Sequence, residues 1–173
     1  MLVGNPHEFA IWLDPVKEWT VQSTVEGLFI LCVDGVFLVK RSSLSARAVT
    51  LSGESEFWME RLRRIDDDKQ TETRGRNKEE LFEAAVNIIY SEDGAISLSE
   101  GIELTPQETK DSYWHVYLFR NSATNEDVVV YSHDEDETIR EFHLPYGRIR
   151  SIIEDFVEQT KIFDHKELFG LQP

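Results

Sequence analysis

The sequence predicts an α+β fold: a mostly antiparallel sheet of about five to six strands, packed against two to three helices that form a single layer. Three observations predict it. Short apolar segments bounded by turns occur towards both ends of the chain, apolar residues recur at helical spacing in the middle, and a strongly amphipathic segment follows the last of the strands. The chain has 173 residues and no internal repeat, so we expect a single globular domain over residues 1–173.

The first predicted strands lie in the N-terminal part of the chain. Residues 9–13 form a short apolar segment closed by an Asp-Pro turn. Residues 28–33 are apolar on both faces, which predicts a central strand that is covered on both sides. Asp34 and Gly35 separate this run from the apolar residues 36–39, and Asp-Gly between two apolar runs predicts a β-hairpin, because both turn residues need positive φ.

Two helices are predicted in the middle of the chain. Residues 54–65 place apolar side chains, including Trp58, on one helical face. Asn77 and Glu80 fit a capping box, which predicts the start of a second helix. Between these helices, residues 66–78 contain no apolar side chain and carry mixed charge, so we expect an exposed, mobile connector within one domain.

Strands and a final helix are predicted in the C-terminal part. Residues 113–119, 127–132 and 138–144 predict three strands, and their short polar connections predict an antiparallel meander. The final helix is predicted from apolar residues at helical spacing, with Pro145 at or near its first position. These apolar residues are Ile149, Ile152, Ile153, Phe156 and Val157.

The charge balance narrows the classes of partner. There are 33 acidic and 18 basic residues, a net charge of −15 and a sequence pI near 4.7. Nucleic acids and anionic membranes require clustered Lys and Arg, so neither is an expected partner. A soluble acidic surface or a basic protein partner is expected instead. No long apolar stretch and no signal-like N-terminus occurs, and we therefore expect a cytoplasmic protein.

Two runs of carboxylates are the candidate partner-binding residues. The run after His133 permits a metal site, a solvated acidic turn or a contact surface for a basic partner. A specific metal site is disfavoured, because consecutive residues of a tight turn point in different directions and the run contains no Gly. The second run permits the same three interpretations, with its charge partly cancelled by basic neighbours. The predicted residues are Asp134, Glu135, Asp136, Glu137, Asp66, Asp67 and Asp68.

No residue is a clear candidate for catalysis. The sequence contains no GxSxG, Walker A, CxxC, HExxH or GxGxxG motif. His115 and His143 fall within predicted strands, where a structural, hydrogen-bonded role is expected, and Cys32 has no basic neighbour that would activate it. We therefore predict no catalytic residue, no metal site and no cofactor.

The sequence also predicts the exposure of two tryptophans and the pairing of two arginines. We expect Trp58 in the core. Trp19, which lies in a polar stretch, is a better candidate for surface exposure, although a core position is favoured for it as well. Arg148 and Arg150 fall in the first turn of the final helix, where the helix dipole disfavours cations, so compensating carboxylates are expected near them.

Three stretches together resemble a known family. They are Val3-Gly4-Asn5-Pro6 followed by Phe9-Ala10-Ile11; Trp19, Gly27 and Phe29 leading to the Asp34-Gly35 turn; and Leu144-Pro145-x-Gly147 opening a helix with Ile152-Ile153. In these stretches the chain resembles the immunity protein 42 family of bacterial polymorphic-toxin and contact-dependent inhibition systems. The resemblance implies a small cytoplasmic protein that binds and neutralises a cognate toxin domain, without enzymatic activity or a cofactor. The matched residues are of structural types, so the resemblance assigns no binding residue.

Two other functions stay open at this point. A small metal-dependent hydrolase could use the clustered carboxylates, and an acidic adaptor domain would bind a different basic target.

Overall fold

The computed structural model describes residues 1–19, 25–39, 47–67, 72–86, 100–134 and 138–161, with the backbone alone for 47–52 and 107–108. Within these ranges nine strands and four α-helices are present, and every neighbouring strand pair within the sheets is antiparallel. The predicted α+β class is confirmed. The strands divide into two sheets, however, where the sequence predicted one.

The first sheet contains five strands in the order β1-β2-β3, with β4 and β5 paired along the other edge of β3. The strands are β1 (Leu2–Gly4), β2 (Phe9–Pro15), β3 (Glu26–Val33), β4 (Val36–Phe37) and β5 (Arg47–Thr50). The predicted hairpin is confirmed, since Asp34 and Gly35 join β3 to β4 with φ of 51° and 74°. The strand β3 is central, as predicted. Its coverage on the second side is partial, because Leu28 and Ile30 are partly buried and Cys32, on the same face, is fully buried.

The second sheet contains four strands in chain order. They are β6 (Ile102–Glu103), β7 (Trp114–Asn121), β8 (Glu126–His133) and β9 (Arg140–Pro145). The three strands β7, β8 and β9 form the predicted meander, with bounds within about two residues of those expected. A hydrogen bond of 3.0 Å from Trp114 Nε1 to the carbonyl oxygen of Val39 joins this sheet to the segment that follows β4.

The helices are α1 (Leu51–Asp66), α2 (Lys78–Val86), α3 (Gln107–Lys110) and α4 (Arg148–Thr160), and a single 3₁₀ turn spans Lys17–Trp19. The predicted capping box of α2 is confirmed. Asn77 N–H donates to Glu80 Oε2, and Glu80 N–H donates to Asn77 Oδ1, both at 2.9 Å. These two bonds satisfy backbone donors that the first turn of a helix leaves without intrahelical partners.

The main core lies between the two sheets and the helices α1 and α4. The inward residues of β2 and β3 meet those of β7 and β8, and Trp58 of α1 lies fully buried among them. Its ring is 6.4 Å from that of Phe29 and 6.1 Å from that of Phe156 in α4. The predicted apolar face of α4 is confirmed by its buried residues Ile149, Ile152, Ile153 and Phe156.

A second, smaller core lies on the opposite face of the second sheet. Leu81 and Ala85 of α2 pack there against the outward residues of β7 and β8. These sheet residues are Tyr117, Phe119, Val128 and Val130. Helices therefore cover both faces of this sheet, which differs from the single layer that the sequence predicted. The physical reason is that β7 and β8 are apolar on both faces and both must be removed from water.

The N-terminus of α4 is capped by a carboxylate from a distant strand. Asp127 of β8 is 2% exposed, and its Oδ2 accepts a hydrogen bond of 3.0 Å from Ile149 N–H. The helix follows Gly147, which has φ 80° and offers no side-chain cap. Pro145 ends β9, where it pairs with Glu126, so the prediction that Pro145 lies at the start of the helix is wrong. Burial raises the pKa of Asp127, and the backbone hydrogen bonds at the helix start oppose this rise.

We expect Asp127→Ala to lower the free energy of unfolding by about 2 kcal/mol, because buried N–H donors lose their acceptor. Asp127→Asn should lower it by less, since the amide keeps one acceptor oxygen and removes a charge that burial disfavours. Urea denaturation of both variants at pH 7 measures this. Equal losses for the Ala and Asn variants would show that the acceptor at this position does not matter.

Candidate functional site

The first predicted carboxylate run begins at the end of β8. Asp134 follows that strand, its side chain is 57% exposed, and its Oδ1 lies 2.9 Å from His115 Nε2. Its backbone N–H donates to the carbonyl oxygen of Tyr113 at 3.1 Å, which fixes the turn to the neighbouring strand. Residues 135–137, which include the predicted Glu135, Asp136 and Glu137, lie outside the described residues. The structure thus places a water-accessible carboxylate at this end of the second sheet.

The second predicted run begins at the end of α1. Asp66 is 47% exposed in its side chain, and its Oδ1 accepts a hydrogen bond of 2.6 Å from Arg150 Nε in α4. Asp67 is exposed at the surface, and Asp68 lies outside the described residues. The ion pair with Arg150 reduces the negative potential at Asp66, in the way that the basic neighbours of this run suggested.

The described members of the two runs lie near opposite ends of β8. Asp134 directly follows the last residue of this strand. Asp66 is bound to Arg150, and the neighbouring residue Ile149 donates its N–H to Asp127 near the start of the strand. A strand of eight residues spans roughly 25 Å at about 3.3 Å per residue. The described carboxylates Asp134 and Asp66 therefore lie far apart on the molecule.

The cations in the first turn of α4 are paired with carboxylates from outside that turn. Arg148 lies 3.6 Å from Glu8, and Arg150 lies within hydrogen-bond distance of both Asp66 and Glu154. The expectation of compensating carboxylates is confirmed.

A cluster that the sequence analysis did not assemble lies on the second sheet. Nδ1 of His143 in β9 is 3.0 Å from Oε2 of Glu126, and Nε2 is hydrogen-bonded to Glu141. Thr124 Oγ1 donates to the same Glu126 oxygen at 2.6 Å. The signal for the pair on β9 is their spacing of two residues, which places both side chains on one face of a strand. The spacing alone does not reveal that Glu126 lies next to them.

The histidine is held between two carboxylates. Burial lowers the pKa of His143, but the hydrogen bonds and charges of Glu141 and Glu126 outweigh this, and the pKa lies above its ordinary value. The pKa of Glu126 is lowered, chiefly by the hydrogen bonds from Thr124 and His143. This arrangement joins β8 to β9 at the surface and gives His143 the structural role that its place in a strand predicted.

The remaining candidate groups for chemistry are buried or paired. Cys32 is fully buried, and burial raises the pKa of its thiol to about 11, so the nucleophilic thiolate is disfavoured. His133 is also buried, with its ring 4.7 Å from that of Trp114. The described parts of the chain contain no group of three His, Cys, Asp or Glu side chains that could hold a metal ion. No helix in these parts is long and apolar enough to cross a bilayer.

The connector between α1 and α2 contacts the second sheet where it is described. Glu72 Oε2 accepts hydrogen bonds from Ser122 N–H and Ser122 Oγ at 3.1 and 2.8 Å. Thr73 is buried, and its N–H donates to the carbonyl oxygen of Arg120 at 2.9 Å. A shallow cavity of about 310 Å³ lies between this segment and the β7–β8 turn. The second half of the connector therefore packs against β7 and the β7–β8 turn. Its residue Thr73 is buried, which differs from the exposed connector that the sequence predicted.

Comparison with known proteins identifies the class to which this chain belongs, the immunity proteins, which neutralise a cognate toxin. The model of one family, immunity protein 42, matches residues 1–159, and the chain belongs to that family. A solved structure described as CdiI from Burkholderia dolosa shares the fold, with a TM-score of 0.68 and 21% sequence identity over 92% of this chain and 99% of that one. A comparison with curated proteins gives no match.

The residues that carried the resemblance have structural roles. A Cβ at Gly27 would lie 2.5 Å from the carbonyl oxygen of Asp14 in the paired strand, so only glycine fits there. Trp19 is 44% exposed, so the core position that was favoured for it is not found, whereas Phe29 belongs to the main core. Membership of the family thus explains the fold of these stretches and assigns no contact residue.

We expect the raised pKa of His143 to make stability depend on pH. A group with a raised folded-state pKa stabilises the protein fully below its unfolded value, about 6.5, and this contribution is lost as the pH rises through the folded value. Glu141→Gln should therefore lower the pKa of His143 and reduce the loss of stability from about pH 6 to pH 8. NMR titration of the His143 ring and urea denaturation at both pH values measure the two effects. A ring pKa of 6.5 or below in the wild-type protein would contradict this expectation.

Proposed function

We propose that the chain protects the cell that makes it by forming a stoichiometric complex with the C-terminal domain of a cognate toxin in the cytoplasm, without catalysing a reaction and without a cofactor. The observation that carries this proposal is the family match over residues 1–159, which spans both sheets and α1, α2 and α4. The likeness to a solved CdiI supports a contact-dependent growth inhibition system as its setting.

The charge of the chain supports a basic toxin domain as the partner. A net charge of −15 on 173 residues produces a strong negative field, and such a field speeds the encounter with a basic protein. Toxins that attack nucleic acids need basic surfaces to bind phosphates. An acidic inhibitor of such a toxin would be attracted by the same surface that attracts its substrate.

The acidic site after β8 is the better of the two predicted partner sites. Asp134 opens a run of four carboxylates in the sequence, and its hydrogen-bond partner is the imidazole of His115. At the other site, Asp66 is paired with Arg150, a permanent cation. The field that a partner meets is therefore more negative after β8 than at the end of α1.

The alternative of a metal-dependent hydrolase has no supporting contact among the described residues. Asp134, the one carboxylate of its run that is described, is hydrogen-bonded to His115. Thermal melts with and without Mg²⁺, Mn²⁺ or Ca²⁺ separate the two functions, because a metal bound to the folded state raises the melting temperature. A clear rise at millimolar metal would favour the hydrolase.

The proposed function predicts that this chain abolishes the toxicity of one partner domain. The experiment co-expresses the chain with the C-terminal domain of the exported toxin encoded next to it, and purifies the complex through a tag on that domain. We expect growth to be restored and the two chains to co-purify in equal amounts. Continued toxicity in the presence of the chain would contradict the proposal.

Neutralising the acidic site after β8 should slow association with a basic toxin domain. The variant replaces four residues with Ser or Asn: Asp134, Glu135, Asp136 and Glu137. We expect the association rate at low salt to fall by about 10- to 100-fold, and the difference to shrink as salt screens the field. The fold should persist, because Asp134 is 57% exposed in its side chain and exposed carboxylates contribute little to stability. Surface plasmon resonance at two ionic strengths measures the rates.

A matched control separates local from overall charge. It replaces four exposed carboxylates on the helices by the corresponding amides, which changes the net charge by the same amount: Glu56, Glu79, Glu83 and Asp155. If the control slows association as much as the loop variant, the total charge matters and the acidic site after β8 has no special role.

A further inference from the structure

A row of apolar side chains crosses the outward face of the first sheet. Leu2 pairs with Trp12, and Trp12 pairs with Ile30, so one residue from each of β1, β2 and β3 stands side by side on this face. Phe37 lies on the same face, because it pairs with Cys32 of β3, and it marks the edge at β4. We call Leu2, Trp12, Ile30 and Phe37 the apolar row.

Water reaches this row although its members are large and apolar. Leu2 is 51% exposed, Trp12 40% and Phe37 48%. The small side chains of Ala10 and Cys32 on the same face are fully buried, so the exposed surface is formed by the large members of the row. Isolated exposed apolar residues are ordinary, but a continuous group on one sheet face is typical of a surface that another molecule covers. Trp residues in particular contribute a large share of the energy of protein interfaces.

Carboxylates border the apolar row at one end. Asp14 lies on the same face of β2, two residues beyond Trp12, and it is exposed. Glu26 lies on the same face of β3, beyond Leu28. The surface therefore combines an apolar centre with an acidic rim, which is complementary to an apolar patch bordered by Lys or Arg.

The same charges argue against a second copy of this chain as the occupant. A twofold interface would bring two identical faces together, and both acidic rims would enter it with no Lys or Arg of the row to neutralise them. Each copy also carries a net charge of −15, and the two would repel each other at long range.

We infer that the apolar row is the anchoring surface for the toxin domain, and that the domain covers it with apolar side chains flanked by basic ones. This inference rests on the proposed function and adds to it a second kind of contact. The acidic site after β8 governs how fast the partner arrives, whereas the apolar row governs how long it stays, because desolvated aromatic contacts must be broken on dissociation.

The test compares Trp12→Thr and Phe37→Thr, singly and together, with the wild-type chain. The probe is the C-terminal domain of the adjacent toxin, carried as a catalytically inactive variant. Threonine favours the strand conformation, so the sheet should be retained. We expect the dissociation constant of the double variant to rise about 10- to 100-fold, through faster dissociation that depends little on salt. Tyr146→Thr is the control, because this aromatic residue is similarly exposed, at 43%, but lies in the turn between β9 and α4.

Hydroxyl-radical footprinting of the wild-type chain gives a second measurement that does not depend on the folding of any variant. We expect the complex to protect Trp12 and Phe37 from oxidation and to leave Tyr146 reactive. Unchanged dissociation of the double variant together with unprotected Trp12 would overturn the inference while the proposed function stands. Dimerisation of the free chain that Trp12→Thr abolishes would also overturn it. Failure of the wild-type chain to bind the toxin domain at all would overturn both.

Discussion

Two neighbouring strands that are apolar on both faces determine how the molecule is layered. In β8 the run Val128, Val129, Val130 and Tyr131 is buried without interruption, and β7 is buried in the same way from Val116 to Phe119. Burial of apolar surface is the main driving force of folding, so each face of this pair must be covered. The first sheet, α1 and α4 cover one face, and α2 covers the other.

This layering decides where the polar groups lie. Because the middle of β8 is enclosed, its charged residues are confined to its ends, with Glu126 and Asp127 at one and Asp134 just beyond the other. Asp127 accepts a hydrogen bond from the first turn of α4, and Glu126 is hydrogen-bonded to His143. The inward side of the first sheet closes the main core. On its outward side Ala10 and Cys32 are buried, whereas Leu2, Trp12 and Phe37 are left to water or to a partner.

Patterns of a few neighbouring residues predicted individual turns and helices. They could not predict which strands, distant in sequence, pair with each other. The capping box at Asn77, the Asp34-Gly35 turn and the helical spacing after Ile149 each depend on residues within a few positions of one another. The division into two sheets depends instead on which strands share hydrogen bonds, and a single sequence contains little information on that. The continuous apolar run of β8 was the available signal that both of its faces are buried.

The candidate site shows the same limit. Charge runs were visible in the sequence, but their separation by the length of β8 and the pairing of Asp66 with Arg150 were not, because both arise from contacts across more than eighty residues. The exposure of Trp12 could be predicted from the sequence. In a strand, Phe9, Ile11 and Leu13 point to one face and Trp12 points to the other. The cluster around His143 could not be predicted, because the position of Glu126 beside it depends on the register of β8 against β9.

The packing of α4 has a consequence for biosynthesis. Its residues Ile152 and Phe156 complete a core to which Val3 and Phe9 contribute at the other end of the chain. A ribosome adds about 5 to 20 residues per second, so roughly 7 to 30 seconds separate the synthesis of the first strand from that of the last helix. During this interval α1 can already pack against the inner face of the first sheet through Trp58, but the apolar surface that α4 covers stays exposed and favours aggregation. Protection of the cell therefore begins with finished molecules, and a cell that stops translating keeps only the immunity it has already stored.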